Sequence, residues 1–178
     1  MIKQIIFDLD GVIIDSRELH WKSFSMALEQ CCPKYTISEE EHIAKYDGLP
    51  TRKKLQILTE EKGLPIEMYG KIFEKKQKWT MRTMQEEYKK CPKLRIILDK
   101  LINSGIQVSL ASNSVRDTII TALHCKGILH YFNHIISNED VLRAKPNPEM
   151  YYQIMTRSGI PAKNTLILED SNTGREAV

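Results

Sequence analysis

Short apolar runs and amphipathic segments alternate toward both ends of the chain. The stretch from Lys3 to Leu9 is almost continuously apolar and lacks the strict alternation of a half-exposed strand. Comparable runs recur at 106–111, 134–137 and 165–168. Buried parallel strands have this pattern because both of their faces are covered. The apolar runs therefore predict four strands of one parallel sheet.

Segments with helical periodicity separate these runs. The pattern predicts helices over 17–30, 94–103, 115–126 and 148–158. In the second of these, the residues expected on one face are Leu94, Ile97, Leu98 and Leu101. Strands that alternate with helices of this length are typical of a doubly wound parallel sheet. The predicted fold class is therefore α/β.

The polar stretch 36–88 breaks this alternation, because its pattern is helical throughout and contains no convincing strand. Ser38 and Thr51 are expected to cap helices, and 66–88 is expected to form one long helix or two. Basic and aromatic residues alternate in 66–88, but interspersed glutamates favour an ordinary amphipathic helix over a nucleic-acid-binding one. The stretch is predicted to be an all-helical insert.

Composition narrows the class of protein. The 178 residues are 42% hydrophobic and 28% charged with a net charge of +3, so charge gives no reason to expect nucleic acid as a partner. The four cysteines lack the spacing of a metal finger and are expected to be reduced intracellular thiols. No stretch approaches the roughly 20 apolar residues of a membrane helix. We expect a cytoplasmic protein with no membrane partner, of unknown oligomeric state but with a monomer favoured.

The first predicted strand ends in an acidic motif. Asp8 and Asp10 follow the apolar run, and Gly11 allows the backbone to turn beside them. Two carboxylates at the end of a buried strand need a compensating charge, and a divalent cation supplies it with a preference for hard oxygen ligands. Ligands of open α/β sheets bind beyond the carboxyl ends of the strands. The motif therefore indicates a divalent metal and an anionic substrate.

Three further groups of polar residues lie in the later part of the chain. Ser112 and Asn113 come after the second strand, Lys145 lies in the loop before a helix, and Glu169 with Asp170 ends the fourth strand. Each has an ordinary alternative interpretation: a helix cap, a surface lysine or the start of a turn. Their convergence with Asp8 and Asp10 on one sheet edge predicts a single pocket.

The segment DLDGVIIDS, from Asp8 to Ser16, resembles the first motif of the haloacid dehalogenase superfamily of phosphohydrolases and phosphomutases. A calcium loop would need further ligands that Val12–Ile14 cannot supply. The resemblance implies a Rossmann-like core and Mg²⁺ as cofactor. It also implies that Asp8 is the nucleophile and that Asp10 is the general acid and base.

The expected site has three groups of residues. The catalytic set is Asp8, Asp10 and Lys145. The phosphate-binding set is Ser112, Asn113 and Lys145. The metal-binding set is Asp8, Asp10, Glu169 and Asp170. The resemblance implies that Asp10 binds through its backbone carbonyl, and Glu169 is either a direct ligand or one shell further out.

The resemblance also implies a domain organisation. Residues 1–15 and 91–178 are expected to form the core, and 16–90 a helical cap. An open sheet normally continues beyond a fourth strand that ends at Asp170, so the C-terminal part of the core is expected to be truncated. His20, Gly48 and Arg52 resemble substrate-contacting positions of β-phosphoglucomutase-like members, although a solvated helix residue is an equal alternative for Arg52.

The leading functional prediction is a magnesium-dependent phosphatase of a small phosphorylated metabolite, such as a sugar phosphate. A β-phosphoglucomutase-type phosphomutase is the first alternative, because the same site serves when a second hydroxyl replaces water. A binding module resembling a phosphorylated response-regulator receiver is the second alternative. It also gathers acids, a hydroxyl and a lysine around magnesium, but without a long helical insert after the first strand.

Overall fold

The computed structural model describes residues 1–47 and 49–178, and Gly48, predicted to contact substrate, lies outside the described residues. The chain divides into two compact units, Met1–Asp15 with Tyr88–Val178, and Ser16–Glu87. Whether either unit is an independently folding domain, with the limits expected from the sequence, stays a prediction.

The first unit contains a parallel four-stranded sheet. Its strands are β1 (Gln4–Phe7), β2 (Gln107–Ala111), β3 (His134–Ile136) and β4 (Thr165–Leu168). They are ordered β3-β2-β1-β4, and all three pairings are parallel. The predicted α/β class and parallel sheet are confirmed, although β1 is shorter than the apolar run that predicted it.

Helices connect the strands and form the second unit. In chain order they are α1 (Arg17–Cys31), α2 (Glu39–Glu41), α3 (Thr51–Lys62), α4 (Tyr69–Glu87), α5 (Pro92–Asn103), α6 (Arg116–Lys126), α7 (Glu149–Ser158) and α8 (Asn172–Glu176). A π-helical turn, His42–Tyr46, continues α2. Among the described residues, none of these helices is both long and apolar enough to cross a membrane.

One face of the sheet packs against α7. Ile6, Ala111 and Ile136 form a buried cluster with residues of that helix, including Met150 and Ile154. On α5, Leu98 is fully buried, but Ile97 is 52% exposed. The face that carries Leu98 and Ile97 is therefore covered only in part, because helical periodicity gives a direction but does not reveal how far the covering layer extends.

The second unit is helical, and its core lies among α1, α3 and α4. The buried residues of this core include Phe24, Leu28, Leu55, Leu58 and Ile72. Ser38 caps α2 as predicted, since its side chain accepts a hydrogen bond from the Glu41 N–H. Thr51 does not cap α3 as predicted, because Pro50 occupies that position and Thr51 is the first helical residue.

Candidate active site

Neighbouring strands bring three carboxylates together. Phe7 pairs with Leu168 at the ends of β1 and β4, and the Asp8 N–H continues the ladder by donating to the Leu168 carbonyl at 2.9 Å. Asp8 therefore emerges beside Glu169 and Asp170. One carboxylate oxygen from each of these three residues lies within 4.8 Å of the other two. The sheet register thus produces the acidic cluster that the strand ends predicted.

Lys145 lies against this cluster. Its Nζ donates to Asp8 Oδ1 at 2.7 Å, to Glu169 Oε1 at 2.5 Å and to the Ala111 carbonyl at 2.8 Å. All three hydrogens of the ammonium group therefore have an acceptor. Burial disfavours the charge, but the neighbouring carboxylates raise the pKa of Lys145 above its usual value. The lysine is thus held as a cation between two acids.

The Asp8 carboxyl is buried, and burial raises its pKa to about 7, whereas the Lys145 ammonium acts in the opposite direction. The like charges of Glu169 and Asp10 contribute to this increase in the pKa of Asp8. An anionic nucleophile at this position requires more positive charge than one lysine provides. A bound cation would supply that charge.

Asn113 supports the Lys145 loop. Its Nδ2 donates to the Lys145 carbonyl at 3.1 Å, and its Oδ1 accepts from the Lys145 N–H at 3.0 Å. Both ends of the amide are thus engaged by the lysine's backbone, and the following Lys145–Pro146 peptide bond is cis. Phosphate binding by Asn113 stays a prediction, which in this arrangement depends on its backbone N–H.

Two serines follow β2, and the second of them contacts the acidic motif. Ser112 is buried, and its Oγ accepts a hydrogen bond from the Ser114 N–H at 3.1 Å. Ser114 Oγ in turn donates to Asp10 Oδ2 at 2.9 Å. The sequence analysis did not include Ser114, although its place two residues after Ser112 in the motif ASNS was a usable signal. Ser114 orients the carboxylate that is predicted to act as acid and base.

Two glycines let the backbone approach the acids closely. Gly11 has φ of +78°, and a Cβ built on it would collide with the Asp170 carboxylate. A Cβ on Gly174, in the first turn of α8, would collide with the carboxylate of Glu169. Ser171 adds hydrogen bonds to Glu169 Oε2 from its N–H at 3.3 Å and from its Oγ at 3.1 Å. The acids therefore have little freedom to move apart.

The donor set fits a divalent metal. Asp8, Glu169 and Asp170 present carboxylate oxygens to one another at short range, and one buried ammonium does not balance their charge. Hard oxygen donors with excess negative charge are the ligands that Mg²⁺ prefers. Asp10 is predicted to contribute its backbone carbonyl rather than its carboxylate, so its role as a ligand stays a prediction beside this group of three side chains.

The predicted substrate residues of the helical unit are in a different environment. His20 is a half-buried residue of α1, and Arg52 is an exposed residue in the first turn of α3. Both belong to the unit Ser16–Glu87. Their roles in substrate binding stay predictions.

The helical unit also contains a buried lysine that the sequence analysis overlooked. Lys54 Nζ lies 2.9 Å from Nε2 of the buried His42, and 5.6 Å from the ring centroid of Phe24. Burial lowers the pKa of His42 to about 4, so the imidazole is neutral at pH 7 and accepts from the ammonium. Lys54 therefore has a neutral partner where Lys145 has two carboxylates.

The whole chain matches a known family. Residues 5–178 match the family model of the haloacid dehalogenase-like hydrolases. The chain belongs to this family. The family expected from the acidic motif is thereby confirmed, as is the expectation that the protein is an enzyme.

Curated relatives of this hydrolase family carry phosphatase names. The chain is 27% identical to a phosphorylated carbohydrates phosphatase of Thermotoga maritima, over 99% of this chain and 80% of the relative. It is 28% identical to the pyrophosphatase PpaX of Oceanobacillus iheyensis, over 96% of this chain and 76% of that protein. It is 25% identical to a phosphoglycolate phosphatase of Aquifex aeolicus, over 99% and 79% of the two chains.

Solved structures share the fold of this chain. CbbY of Rhodobacter sphaeroides, solved with phosphate, superposes with a TM-score of 0.83 at 22% identity, over 99% of this chain and 81% of that one. A putative β-phosphoglucomutase of Thermotoga maritima superposes with a TM-score of 0.79 at 24% identity, over 99% and 80%. These similarities support the α/β fold with a helical insertion.

Proposed function

We propose that the protein is a magnesium-dependent phosphohydrolase that cleaves the phosphate ester of a small phosphorylated metabolite. The observation that carries this proposal is the contact of one buried lysine with Asp8 and Glu169, beside Asp170, at the edge where the parallel strands end. In a haloacid dehalogenase-like hydrolase, this arrangement suits phosphoryl transfer to a carboxylate.

In the first step, an oxygen of Asp8 attacks phosphorus and the bond between phosphorus and the ester oxygen breaks. Asp10 gives its proton to the departing oxygen, so that an alcohol leaves. The hydrogen bond from Ser114 fixes the orientation of the Asp10 carboxyl for this transfer. An acyl phosphate on Asp8 is the product of the step.

In the second step, Asp10 takes a proton from water, and the water oxygen attacks phosphorus. The bond between phosphorus and Asp8 breaks, which releases inorganic phosphate and restores the carboxylate. Lys145 stabilises negative charge on Asp8 and on the transferring group throughout, because its ammonium is fixed before substrate arrives. Ser112 and the backbone N–H groups after β2 are proposed to bind phosphate oxygens.

The proposed magnesium ligands are the carboxylates of Asp8 and Asp170 and the backbone carbonyl of Asp10, with Glu169 either a ligand or a support for Lys145. When bound, Mg²⁺ neutralises the repulsion between the carboxylate nucleophile and an anionic phosphate. The excess negative charge of the acidic cluster supports this assignment.

A sugar phosphate is the proposed substrate class. The support comes from a relative that is named for phosphorylated carbohydrates and is matched over almost all of this chain. A second relative is named as a pyrophosphatase, so an assay has to vary the leaving group. His20 and Arg52 are proposed to contact the part of the substrate that does not react.

The test is an assay of the purified chain against a panel of phosphate esters and pyrophosphate, with and without Mg²⁺. We expect magnesium-dependent phosphate release that is strongest with sugar phosphates. Asp8→Asn should lower kcat by at least about 10³-fold, because the amide is not a nucleophile. The matched control is Asp117→Asn, in the first turn of α6, which should retain wild-type turnover. Turnover by Asp8→Asn at the wild-type rate would refute the proposal.

A phosphomutase of the β-phosphoglucomutase type uses the same chemistry with a sugar hydroxyl in place of water. Incubation with β-glucose 1-phosphate and a bisphosphate primer separates the two activities. Formation of glucose 6-phosphate faster than release of inorganic phosphate would favour the mutase. Membership of a hydrolase family gives no support to the receiver-like alternative.

A further inference from the structure

Tyr151 is a buried tyrosine in the first unit that contacts the proposed catalytic residues. It lies on α7, is 2% exposed and is packed in the apolar cluster beneath the sheet. A core position of this kind is normally filled by an apolar side chain, because a buried hydroxyl needs a partner. The partner that Tyr151 has is a carboxylate of the site.

The hydroxyl and the ring of Tyr151 contact two different members of the site. Its hydroxyl donates to Glu169 Oε1 at 3.3 Å. The face of its ring lies 5.3 Å from Lys145 Nζ, within the range of a cation–π contact. Because Glu169 Oε1 also accepts from Lys145 Nζ, the three side chains form a closed triangle.

We propose that Tyr151 is a positioning residue that holds Glu169 and Lys145 in the geometry that the proposed phosphoryl transfer requires. The inference rests on the proposed function and adds a residue to it. The hydroxyl fixes one oxygen of Glu169, and Ser171 fixes the other. Glu169 thereby offers Lys145 an acceptor oxygen at a fixed position, and this contact keeps the ammonium directed at Asp8.

The connection along the chain supports this role. Lys145 and Tyr151 are joined by the short loop that leads into α7, and the Tyr151 N–H donates to the Pro148 carbonyl at 3.0 Å. The same segment therefore carries the lysine and the ring beneath it. A shift of α7 would therefore move Tyr151 and the loop that carries Lys145 relative to Glu169, which directly follows β4.

The experiment is the substitution Tyr151→Phe, which removes the hydroxyl and keeps the ring. The matched control is Tyr152→Phe, one residue along the same helix, where the side chain is 61% exposed. Calorimetric titration of the metal-free protein with Mg²⁺ measures metal affinity without turnover. We expect Tyr151→Phe to weaken Mg²⁺ binding by about tenfold and to lower kcat by a similar factor with KM unchanged, because outer contacts of a metal site have effects of this size. Tyr152→Phe should change neither quantity.

A double-mutant cycle separates positioning from general packing. In a Glu169→Gln background, the additional effect of Tyr151→Phe on Mg²⁺ affinity should shrink toward a factor of one, since the tyrosine acts through the glutamate. An undiminished tenfold effect in that background, or a Tyr151→Phe variant identical to wild type, would overturn the role of Tyr151 alone. A wild-type protein that neither binds Mg²⁺ nor hydrolyses esters would overturn the proposed function and this role with it.

Discussion

The two units each contain a deeply buried lysine, and the surroundings of these lysines are opposite. Lys145 is 7% exposed and contacts two carboxylates, whereas Lys54 is 3% exposed and has a neutral histidine as its partner. Among the residues that the structure describes, no carboxylate lies within ion-pair distance of Lys54. The two lysines are therefore similarly buried, but only Lys145 has partners of opposite charge.

The pKa values express the same difference. The carboxylates beside Lys145 overcome the effect of burial and raise its pKa, whereas burial together with the charge of Lys76 lowers the pKa of Lys54 to about 8. Asp47 offsets only part of that decrease. Burial alone therefore does not identify a functional lysine. A buried lysine marks a site when acids from separate strands converge on it.

The largest expected effect is that of removing the ammonium of Lys145. Lys145→Met leaves Asp8 and Glu169 buried next to each other without a cation, and loss of one partner of a buried pair costs about 3–5 kcal/mol. We expect the free energy of unfolding to fall by this amount in the absence of Mg²⁺, together with a loss of turnover. Urea unfolding followed by circular dichroism measures the change. A variant as stable as the wild type would contradict the ion-pair interpretation.

The corresponding substitution in the helical unit should have the opposite sign. Lys54→Met replaces a buried ammonium without a carboxylate partner by an apolar side chain of similar length. The lowered pKa corresponds to a destabilisation on the order of 1–3 kcal/mol at pH 7, which the variant should recover. The control is Lys53→Met, whose side chain is exposed and whose effect should be close to zero. Destabilisation by Lys54→Met would show that the buried ammonium of Lys54 stabilises the fold, contrary to this interpretation.

A pair of glycines extends the comparison to the backbone. Gly11 and Gly63 both have positive φ, of +78° and +72°, so alanine is strained at either position. At Gly11 the new methyl group would also collide with the Asp170 carboxylate, whereas nothing lies within 4 Å at Gly63. We expect Gly63→Ala to cost about 1 kcal/mol of unfolding free energy. Gly11→Ala should cost more and should also abolish Mg²⁺ binding, as titration calorimetry would reveal.

The smallest expected effect is a pH dependence that belongs to Lys54. Its pKa is about 8 in the folded protein and 10.5 when unperturbed, so between these values the unfolded chain binds more protons and stability rises with pH. The advantage of Lys54→Met over the wild type should therefore be constant below pH 8 and decline between pH 8 and pH 10. Urea unfolding of both proteins at several pH values gives the difference directly. A constant difference over this range would show that the amine is not destabilised in the fold.

The sequence predicted the acidic part of the site because the acids directly follow apolar strands. That pattern located Asp8, Glu169 and Asp170. The parallel pairing of β1 with β4 then brings these three acids together. Lys145 lies in a loop, where periodicity gives no information, and its place depended on the family resemblance. Gly11 was expected to permit a turn, but its closeness to Asp170 is a tertiary property.

Contacts between distant segments could not be predicted. The hydroxyl of Tyr151 finds Glu169 through the packing of α7 on the sheet, and nothing in the local sequence distinguishes it from the exposed Tyr152. Lys54 left a weak signal, since it lies four residues before the buried Leu58 and thus on the same helical face. A charged residue at an apolar position is easily assigned to solvent, because partners such as His42 are invisible without the fold.

Trapping the intermediate shows whether Asp8 is the residue that accepts the phosphoryl group. Acid quenching during turnover of a phosphate ester with Mg²⁺, followed by borohydride reduction and peptide mass spectrometry, identifies the residue that carries an acyl phosphate. We expect reduction of Asp8 to homoserine in the wild type and no modification in Asp8→Asn. An acyl phosphate on any other residue, or steady turnover with Asp8 unmodified at every time of quenching, would contradict this expectation.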